Sequence, residues 1–295
     1  MSPESKNPVS ARIAFLAGRG DLPMLKITTA WSTAEIYLHG AHVTNFTRHN
    51  EPPLLFLSQS SRFEAGQPIR GGIPVIFPWF GPREGMVAHG FARVKPWEIQ
   101  EVVHAPDGSV SVRFRLPTSP EGAAYPPFLA EYVVTVSQSL QLELIITNKS
   151  TTAPLEYEDC FHTYFQVDDI AAVSIAGLKG LEYLDKVTGF SKKTETDDAI
   201  RISSEVDRVY LNATGTVDIR DARLGRVIRV EKENSASTVV WNPWIAKAQQ
   251  MSDFGNEEYR NMVCAESGNV GPNRILLPPG GVSTMKVKLS SSLLA

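Results

Sequence analysis

Two short segments, far apart in the chain, each place one proton-transfer residue inside a mostly apolar run. His162 lies in LEYEDCFHTYF, residues 155–165, and Glu266 lies in NMVCAESGN, residues 261–269. Burial and mutual proximity move the pKa values of an imidazole and a carboxyl toward neutrality. Two such groups at one bond would serve as general acid and general base. The alternative for each is a structural, hydrogen-bonded role.

A third segment, residues 70–98, combines cations with glycine, proline and aromatic residues. Arg70 opens the run RGGIPVIFPWF, and His89 and Arg93 stand four residues apart in AHGFARVKPWE. Arginine suits an anion because its planar guanidinium donates paired, charge-assisted hydrogen bonds. The aromatic residues offer the flat apolar surface that a sugar face prefers. The segment therefore predicts the wall of an anion pocket, with solvated arginines and a structural histidine as the alternative.

A metal site is an alternative for the first segment, because three acidic residues precede His162. No second histidine or cysteine follows at ligand spacing, however. If residues 155–165 form one strand, alternate positions share a cleft-facing side: Glu156, Glu158, Cys160 and His162. No phosphate-binding loop, dinucleotide fingerprint, nucleophile elbow or zinc spacing is present. The sequence thus predicts acid–base chemistry with no cofactor and no metal.

Composition argues against several functional classes. The chain of 295 residues is 42% hydrophobic and 21% charged, with a net charge of −3. These values suit a globular protein better than a general binder of nucleic acid or anionic membranes. The first ten residues are polar, no run approaches a membrane span, and two cysteines make no disulfide framework. We therefore expect a cytoplasmic protein without a nucleic-acid or membrane partner.

Most of the chain is predicted to be strand. The clearest strand segments are residues 132–136, 140–147, 216–220, 226–231 and 283–289. Helical signal is confined to turns near residues 88–93 and 253–262. Many short strands with few helices predict an all-β sandwich or barrel. We expect one domain over residues 11–295 after a flexible N-terminus, residues 1–10.

Six runs, in collinear order between about residue 40 and residue 289, resemble one known family. They are RGGIPVIFPWFG, AHGFAR, LEYEDCFHTYF, EVDRVY, VVWNPW and VCAESGN. The family is the glucose-6-phosphate 1-epimerases, or hexose-6-phosphate mutarotases, of the galactose-mutarotase-like superfamily. The resemblance implies a large antiparallel β-sandwich with few short helices. It also implies cofactor-free interconversion of the α and β anomers of D-glucose 6-phosphate, by a protein that we expect to be a monomer.

The resemblance also implies roles for individual residues. His162 matches the catalytic acid and Glu266 the catalytic base. The positions that match substrate contacts of a hexose 6-phosphate are Arg70, His89, Arg93 and Asp207. One departure is visible, because family members often carry a glutamine where this chain has Ala88. A substrate hydrogen bond is therefore missing or replaced, which bears on sugar specificity rather than on the chemistry.

Three other functions stay open at this point. The first is an aldose 1-epimerase acting on unphosphorylated sugars, against which Arg70 and Arg93 argue. The second is a non-catalytic carbohydrate-binding sandwich, against which the presence of both His162 and Glu266 argues. The third is a protein-interaction module on the same scaffold, which would expose a large apolar patch.

Overall fold

The computed structural model describes residues 11–294. The predicted flexible N-terminus, residues 1–10, lies outside the described residues. Within them the strands form antiparallel sheets, and the prediction of an all-β fold is confirmed.

Two large sheets carry most of the strands, which are numbered β1–β23 in chain order. The nine-stranded sheet runs, from edge to edge, β16 (Ala199–Ile200), β13 (Val173–Ala176), β18 (Val217–Asp221), β19 (Arg226–Glu233), β23 (Val282–Leu293), β9 (Leu140–Asn148), β8 (Phe128–Val136), β7 (Val110–Arg115) and β6 (Glu98–His104). The eight-stranded sheet runs β15 (Ser191–Thr194), β14 (Glu182–Asp185), β17 (Val206–Leu211), β20 (Ser237–Asn242), β21 (Met262–Asn269), β11 (Asp159–Phe161) and β5 (Val75–Ile76), with β12 (Tyr164–Gln166) also paired to β21.

Two smaller sheets complete the strand structure. The four-stranded sheet is a meander of β1 (Arg12–Ala17), β2 (Pro23–Thr28), β3 (Ser32–Tyr37) and β4 (His42–Arg48). The two-stranded sheet pairs β10 (Leu155–Tyr157) with β22 (Ile275–Leu277).

Helical structure in the described residues is short. The α-helix α1 spans Trp244–Gln250. Single 3₁₀ turns occupy Arg19–Asp21, Ala92–Val94, Glu121–Ala124, Ile170–Ala172, Lys186–Thr188, Glu258–Asn261 and Gly271–Asn273. No helix in this part of the chain is long and apolar enough to cross a membrane.

The inner faces of the sheets share one apolar core. Tyr132 of β8 meets Phe161 of β11 with ring centroids 5.4 Å apart, which joins the nine-stranded sheet to the eight-stranded one. Val240 and Val263 add side chains from the centre of the eight-stranded sheet, and Ile27 adds one from the small meander. The core therefore fixes the eight-stranded sheet on one side and leaves its other face for the site.

The predicted hairpins are present. Strands β8 and β9 pair with Val136 opposite Leu140, so the turn occupies residues 137–139 as the sequence indicates. Strands β18 and β19 pair around residues 221–226, and residues 283–289 lie within β23. These segments alternate buried and exposed side chains because one face packs on the core.

The interpretation of residues 155–165 as one strand is wrong. The segment forms β10, β11 and β12, because each piece has different partners: β22 for β10, β5 and β21 for β11, and β21 for β12. Glu156 is exposed and pairs with Arg274 at 3.0 Å, and it does not line the cavity that His162 lines.

Glu158 has a structural role at the break between β10 and β11. Its two carboxylate oxygens accept hydrogen bonds from the backbone N–H groups of Phe80 and Gly271, at 2.8 and 2.6 Å. Of the four residues expected on one side, Cys160 and His162 are the pair that reaches Glu266.

Candidate active site

Strand β21 positions its functional side chains by alternation. Val263 and Ala265 point into the core, so Cys264 and Glu266 lie on the opposite face of the sheet. Residues directly opposite on paired strands point to the same side. The register therefore adds further side chains to this face: Val239 opposite Glu266, Trp241 opposite Cys264, and Asp207 opposite Trp241.

A cavity of about 280 Å³ opens on this face. Its walls are Arg70, Phe80, His89, His162, Lys186, Asp207, Val239, Trp241, Lys247, Met251 and Glu266. Five of the six residues singled out from the sequence are among them, and Arg93 is not. The segments that the sequence analysis selected on chemical grounds thus meet at one place.

His162 and Glu266 form a close pair. The imidazole Nδ1 lies 3.3 Å from Glu266 Oε1, and the two residues are 7% and 1% exposed. The contact is not aligned as a hydrogen bond, and Nδ1 has no hydrogen-bond partner within residues 11–294. The imidazole stacks on the Tyr164 ring, with centroids 4.7 Å apart and planes 6° from parallel. Packing therefore fixes the ring, while its nitrogen stays available for proton transfer.

Burial shifts the pKa values of the two groups in opposite directions. Burial raises the pKa of Glu266 well above its usual range, and the nearby carboxylate of Asp207 raises it further. Burial lowers the pKa of His162 well below its usual range. Neighbouring positive charge, from Arg93 and Arg70 among others, acts on the imidazole in the same direction. Both shifts act against the charged forms, the carboxylate of Glu266 and the imidazolium of His162, which a Glu base and a His acid need.

Arg70 is held in place at the cavity wall. Its Nε and Nη2 donate to Asp253 Oδ2 at 3.2 and 3.0 Å, and its Nη1 donates to the Tyr164 hydroxyl at 3.0 Å. A guanidinium fixed at both ends loses little further freedom when it binds an anion. Arg70 is therefore suited to hold an anionic group in the cavity.

Arg93 does not line the cavity, whereas the sequence predicts a substrate contact for it. It is 6% exposed within the 3₁₀ turn Ala92–Val94, and its Nη2 donates to the carbonyl oxygen of Ala88 at 2.7 Å. Burial and the charge of Arg70 lower the pKa of Arg93 to about 10. Arg93 thus supports the loop that carries His89. Its charge also contributes positive potential at His162 and Glu266, although its side chain does not line the cavity.

His89 sits in a constrained loop. Its φ is +66°, a left-handed conformation that is uncommon outside glycine, and its Nδ1 accepts a hydrogen bond from Gly81 N–H at 3.3 Å. The next residue must be glycine, because a Cβ at Gly90 would lie 2.0 Å from the carbonyl oxygen of Phe77. Strain of this kind is often found where a side chain is aimed at a ligand.

Two lysines of the cavity carry no sequence motif. Lys186 follows β14, and its Nζ lies 2.9 Å from Asp207 Oδ2. Lys247 lies on α1, and its Nζ contacts Glu205 Oε1 at 2.9 Å. The pairing of β14 with β17 brings Lys186 to the cavity. Asp185 lies opposite Arg208 in this antiparallel pair, so the next residue, Lys186, lies next to Asp207.

The site also offers metal-ligand atoms. One donor each from His162, Cys264 and Glu266 lie within 4.8 Å of one another, and all three residues are buried. Nitrogen, sulfur and carboxylate oxygen together suit zinc better than magnesium or calcium.

The sequence pattern of the aldose 1-epimerase family matches residues 23–290. The chain belongs to the aldose 1-epimerase family. A Cenchrus ciliaris protein provisionally named glucose-6-phosphate 1-epimerase is 38% identical over 267 residues, covering 88% of this chain and 81% of that protein. An Escherichia coli K12 protein with the same provisional name is 34% identical over 269 residues, or 88% of each chain.

A solved structure gives the same result for the fold. A Salmonella typhimurium protein provisionally described as a mutarotase superposes with a TM-score of 0.88 at 27% identity, over 97% of each chain. The family resemblance and the mutarotase-type β-sandwich are therefore confirmed. Members of this family interconvert sugar anomers, and the protein is an isomerase.

Proposed function

We propose that this epimerase interconverts the α and β anomers of D-glucose 6-phosphate, with Glu266 as base and His162 as acid. The observation that carries the proposal is the cavity itself. It places a buried carboxyl and a buried imidazole 3.3 Å apart and adds Arg70, Lys186 and Lys247 to the same walls. The acid–base pair supports ring opening, and the cations support an anionic sugar.

Ring opening uses both groups at once. Glu266 takes the proton from the anomeric hydroxyl, the bond between C1 and the ring oxygen breaks, and His162 gives a proton to that oxygen. Rotation about the C1–C2 bond then presents the other face of the aldehyde. Closure runs the same transfers in reverse, so both groups end in their starting states. Asp207 and His89 hold sugar hydroxyls, and holding the sugar while one bond turns is an orientation effect.

The phosphate has a second effect in this proposal. The imidazolium of His162 is disfavoured by positive neighbours, including Arg70 and Lys186. A dianion bound to Arg70 offsets a charge that lowers the pKa of His162 and that is not among the main influences on the pKa of Glu266, which makes the imidazolium less costly. Phosphate binding therefore favours movement of the proton from Glu266 to His162. The substrate itself prepares the site for the first step.

Anomer exchange followed by NMR tests the proposal. We expect faster exchange for glucose 6-phosphate than for free glucose, and exchange that persists after EDTA treatment and dialysis. Glu266→Gln and His162→Asn should each slow exchange roughly 10²–10⁴-fold. Restoration of a lost activity by a divalent ion, or normal turnover in either folded variant, would contradict the mechanism.

The same measurement separates the alternatives. Equal exchange on free and phosphorylated glucose would favour an aldose 1-epimerase acting on unphosphorylated sugars. Sugar binding without exchange would favour a carbohydrate-binding sandwich. Mannose 6-phosphate and galactose 6-phosphate complete the panel, because Ala88 leaves the preference among hexoses open.

We also infer a cytoplasmic location. Cys160 and Cys264 are both free thiols and both buried. Free thiols without a disulfide framework suit a reducing compartment. Localisation of a tagged protein by microscopy would test this inference.

A further inference from the structure

We propose that His162, Cys264 and Glu266 form a binding site for a thiophilic divalent cation such as Zn²⁺, and that the bound ion inhibits the enzyme. The inhibition rests on the proposed function, because the cation would occupy atoms that the acid–base reaction needs. The binding itself does not depend on that function.

The backbone brings the three donors together. Cys264 and Glu266 are two residues apart on β21 and share its outer face. His162 follows β11, which pairs with β21 through Phe161 and Ser267. The ligand atoms lie within 4.8 Å of one another without any rearrangement of the sheet.

The distances are close to those of a zinc site. Bond lengths of about 2.0–2.3 Å to N, O and S in a tetrahedron place ligand atoms roughly 3.3–3.6 Å apart. His162 Nδ1 and Glu266 Oε1 are already 3.3 Å apart. Since the donors lie within 4.8 Å of one another, the Cys264 thiol has to approach by at most about 1.2–1.5 Å, which a side-chain rotation supplies.

An unpaired nitrogen supplies an independent indication. His162 Nδ1 has no hydrogen-bond partner in residues 11–294, although the residue is only 7% exposed. Buried polar atoms are normally satisfied, so an unpaired imidazole nitrogen beside a thiol and a carboxyl is an open ligand position. Because His162 and Glu266 line the cavity, an ion can reach them from solvent.

The site has to lose protons before it can bind a divalent cation. The Cys264 thiol and the Glu266 carboxyl release their protons to solvent, and the resulting two negative charges neutralise the dication. The cationic side chains of the cavity, among them Arg70 and Lys186, oppose any cation. Binding therefore depends on the thiolate bond, and Mg²⁺, which prefers oxygen ligands, is excluded.

Inhibition follows from the identity of the ligands. A metal on Glu266 and on His162 Nδ1 would occupy the carboxylate that acts as base and the imidazole that acts as acid in the proposed reaction. Both residues line the cavity in which that reaction would take place. Metal and substrate therefore compete.

The test compares the parent protein with two matched thiol variants, in buffer free of phosphate and chelator. Cys264→Ser removes the proposed ligand. Cys160→Ser is the control, because Cys160 is equally buried and contacts Glu266 Oε2 at 3.5 Å but lies outside the donor set. Zn²⁺ and Cd²⁺ binding is measured by calorimetry, and Co²⁺ binding by its thiolate charge-transfer absorption. Anomer exchange is followed in parallel.

We expect Zn²⁺ to inhibit the parent, EDTA to restore it, and Cys264→Ser to weaken binding and inhibition at least about ten-fold. The cobalt–thiolate absorption should be lost in Cys264→Ser and kept in Cys160→Ser. Undiminished zinc binding by Cys264→Ser, or stimulation of exchange by zinc, would overturn the proposal. Cys264→Ala serves if the serine variant misfolds. If the parent shows no exchange at all, the proposed function fails, whereas calorimetry and the cobalt spectrum still decide the metal site.

Discussion

In the proposed mechanism, the position of one proton decides which of His162 and Glu266 acts as acid and which as base. The free site favours neutral imidazole and protonated carboxyl, because the pKa of His162 is lowered and that of Glu266 is raised. A dianion bound to Arg70 should favour the imidazolium, because Arg70 lowers the pKa of His162 and is not among the main influences on the pKa of Glu266. We expect ¹⁵N NMR of His162 at neutral pH to show neutral imidazole in the free protein and imidazolium when a non-reactive sugar phosphate is bound. An imidazole that stays neutral in the complex would exchange the roles, with His162 as base and Glu266 as acid.

Lys186 controls the same equilibrium from a neighbouring position. Its ammonium pairs with Asp207, whose charge raises the pKa of Glu266, and it also lowers the pKa of His162. Removing the Lys186 ammonium therefore raises the pKa values of both His162 and Glu266. The mechanism needs one proton shared by His162 and Glu266. Activity therefore falls at low pH, where the pair gains a second proton, and at high pH, where it loses the only one. Lys186→Met should therefore move both limbs of the pH profile of kcat/KM to higher pH.

A second substitution separates this effect from loss of a phosphate contact. Lys186→Met with Asp207→Asn removes both charges, so the limb that reports Glu266 should return toward its original position. Lys247→Met is the matched control, because Lys247 lines the cavity but pairs with Glu205. A profile that does not move in Lys186→Met would mean that the lysine contributes binding alone.

Arg70 and Arg93 should respond differently to truncation. Arg70 lines the cavity, and a hydrogen bond to a charged group is worth about 1.5–3 kcal/mol. Arg70→Ala should therefore raise KM for glucose 6-phosphate roughly ten- to a hundred-fold and spare free glucose. Arg93→Ala removes a buried side chain and the donor to Ala88. It should lower the free energy of unfolding by about 2 kcal/mol or more.

Kinetics on both sugars and denaturant unfolding check this pair of predictions. Equal loss of activity on phosphorylated and free glucose in Arg70→Ala would make Arg70 structural. Unchanged stability in Arg93→Ala would show that its burial behind the cavity wall contributes nothing.

At the level of elements, periodicity predicts the fold well where one face of a strand packs on the core. The hairpin of β8 and β9 and the strand β23 follow from alternation in the sequence. The segment from β10 to β12 does not, because its three pieces change partners within eleven residues, and local pattern carries no information about partners. The sequence analysis also misses α1, which begins within the WNPW segment. At its start the buried Asn242 side chain accepts a hydrogen bond from Trp244 N–H at 2.9 Å.

Because local pattern carries no information about strand partners, the sequence indicates some site residues and not others. His162 and Glu266 stand out because a titratable group in an apolar run is unusual. Lys186 and Lys247 are ordinary surface lysines in the sequence, and only the pairing of β14 with β17 and the direction of α1 bring them to the cavity. Arg93 differs in the opposite sense, since a motif indicates its neighbourhood but not that the side chain is buried next to the cavity rather than lining it.

Close packing of β11 on β21 should control the catalytic distance. A Cβ at Gly268 would lie 2.4 Å from the carbonyl oxygen of Asp159 and 2.7 Å from Cys160 Cβ. Gly268→Ala must therefore push β11, and with it His162, away from Glu266. Overpacking of this kind costs about 1–3 kcal/mol of stability, and a displacement near 1 Å can slow a reaction on the order of 10²-fold.

Exchange kinetics and thermal unfolding measure both effects. Gly215→Ala is the control, because a Cβ there has open space and its φ is not positive. Exchange by Gly268→Ala at the parent rate would mean that the pair tolerates movement of β11.

At the scale of the whole molecule, an acidic protein contains a cationic cavity. The net charge is −3, yet Arg70, Lys186 and Lys247 converge on one small volume. A low-dielectric cleft focuses such charge, which supports our proposal that the substrate is an anionic sugar. We infer that residues 11–295 form one domain, because a single apolar cluster takes side chains from all three larger sheets.

The edges of the sheets bear on the oligomeric state, because exposed edge strands invite pairing between copies. Strand β6 carries Glu98 and Glu101, and β15 carries Lys192 and Lys193, all charges that oppose such pairing. Strand β1 exposes large apolar side chains and carries fewer charges, since Phe15 is 68% and Leu16 45% exposed. We predict a monomer, because β1 is a single short strand and offers too little apolar area for a stable dimer.

Sedimentation velocity over a wide range of concentrations tests this prediction. The expected mass is 32.4 kDa throughout. A mass that doubles with concentration would contradict it and would point to pairing through β1. In that case Phe15→Lys, which places a charge on the edge, should restore the monomer and leave anomer exchange intact, because β1 lies in the small meander and the site lies on the eight-stranded sheet. A dimer that persists in Phe15→Lys would move the interface to another surface.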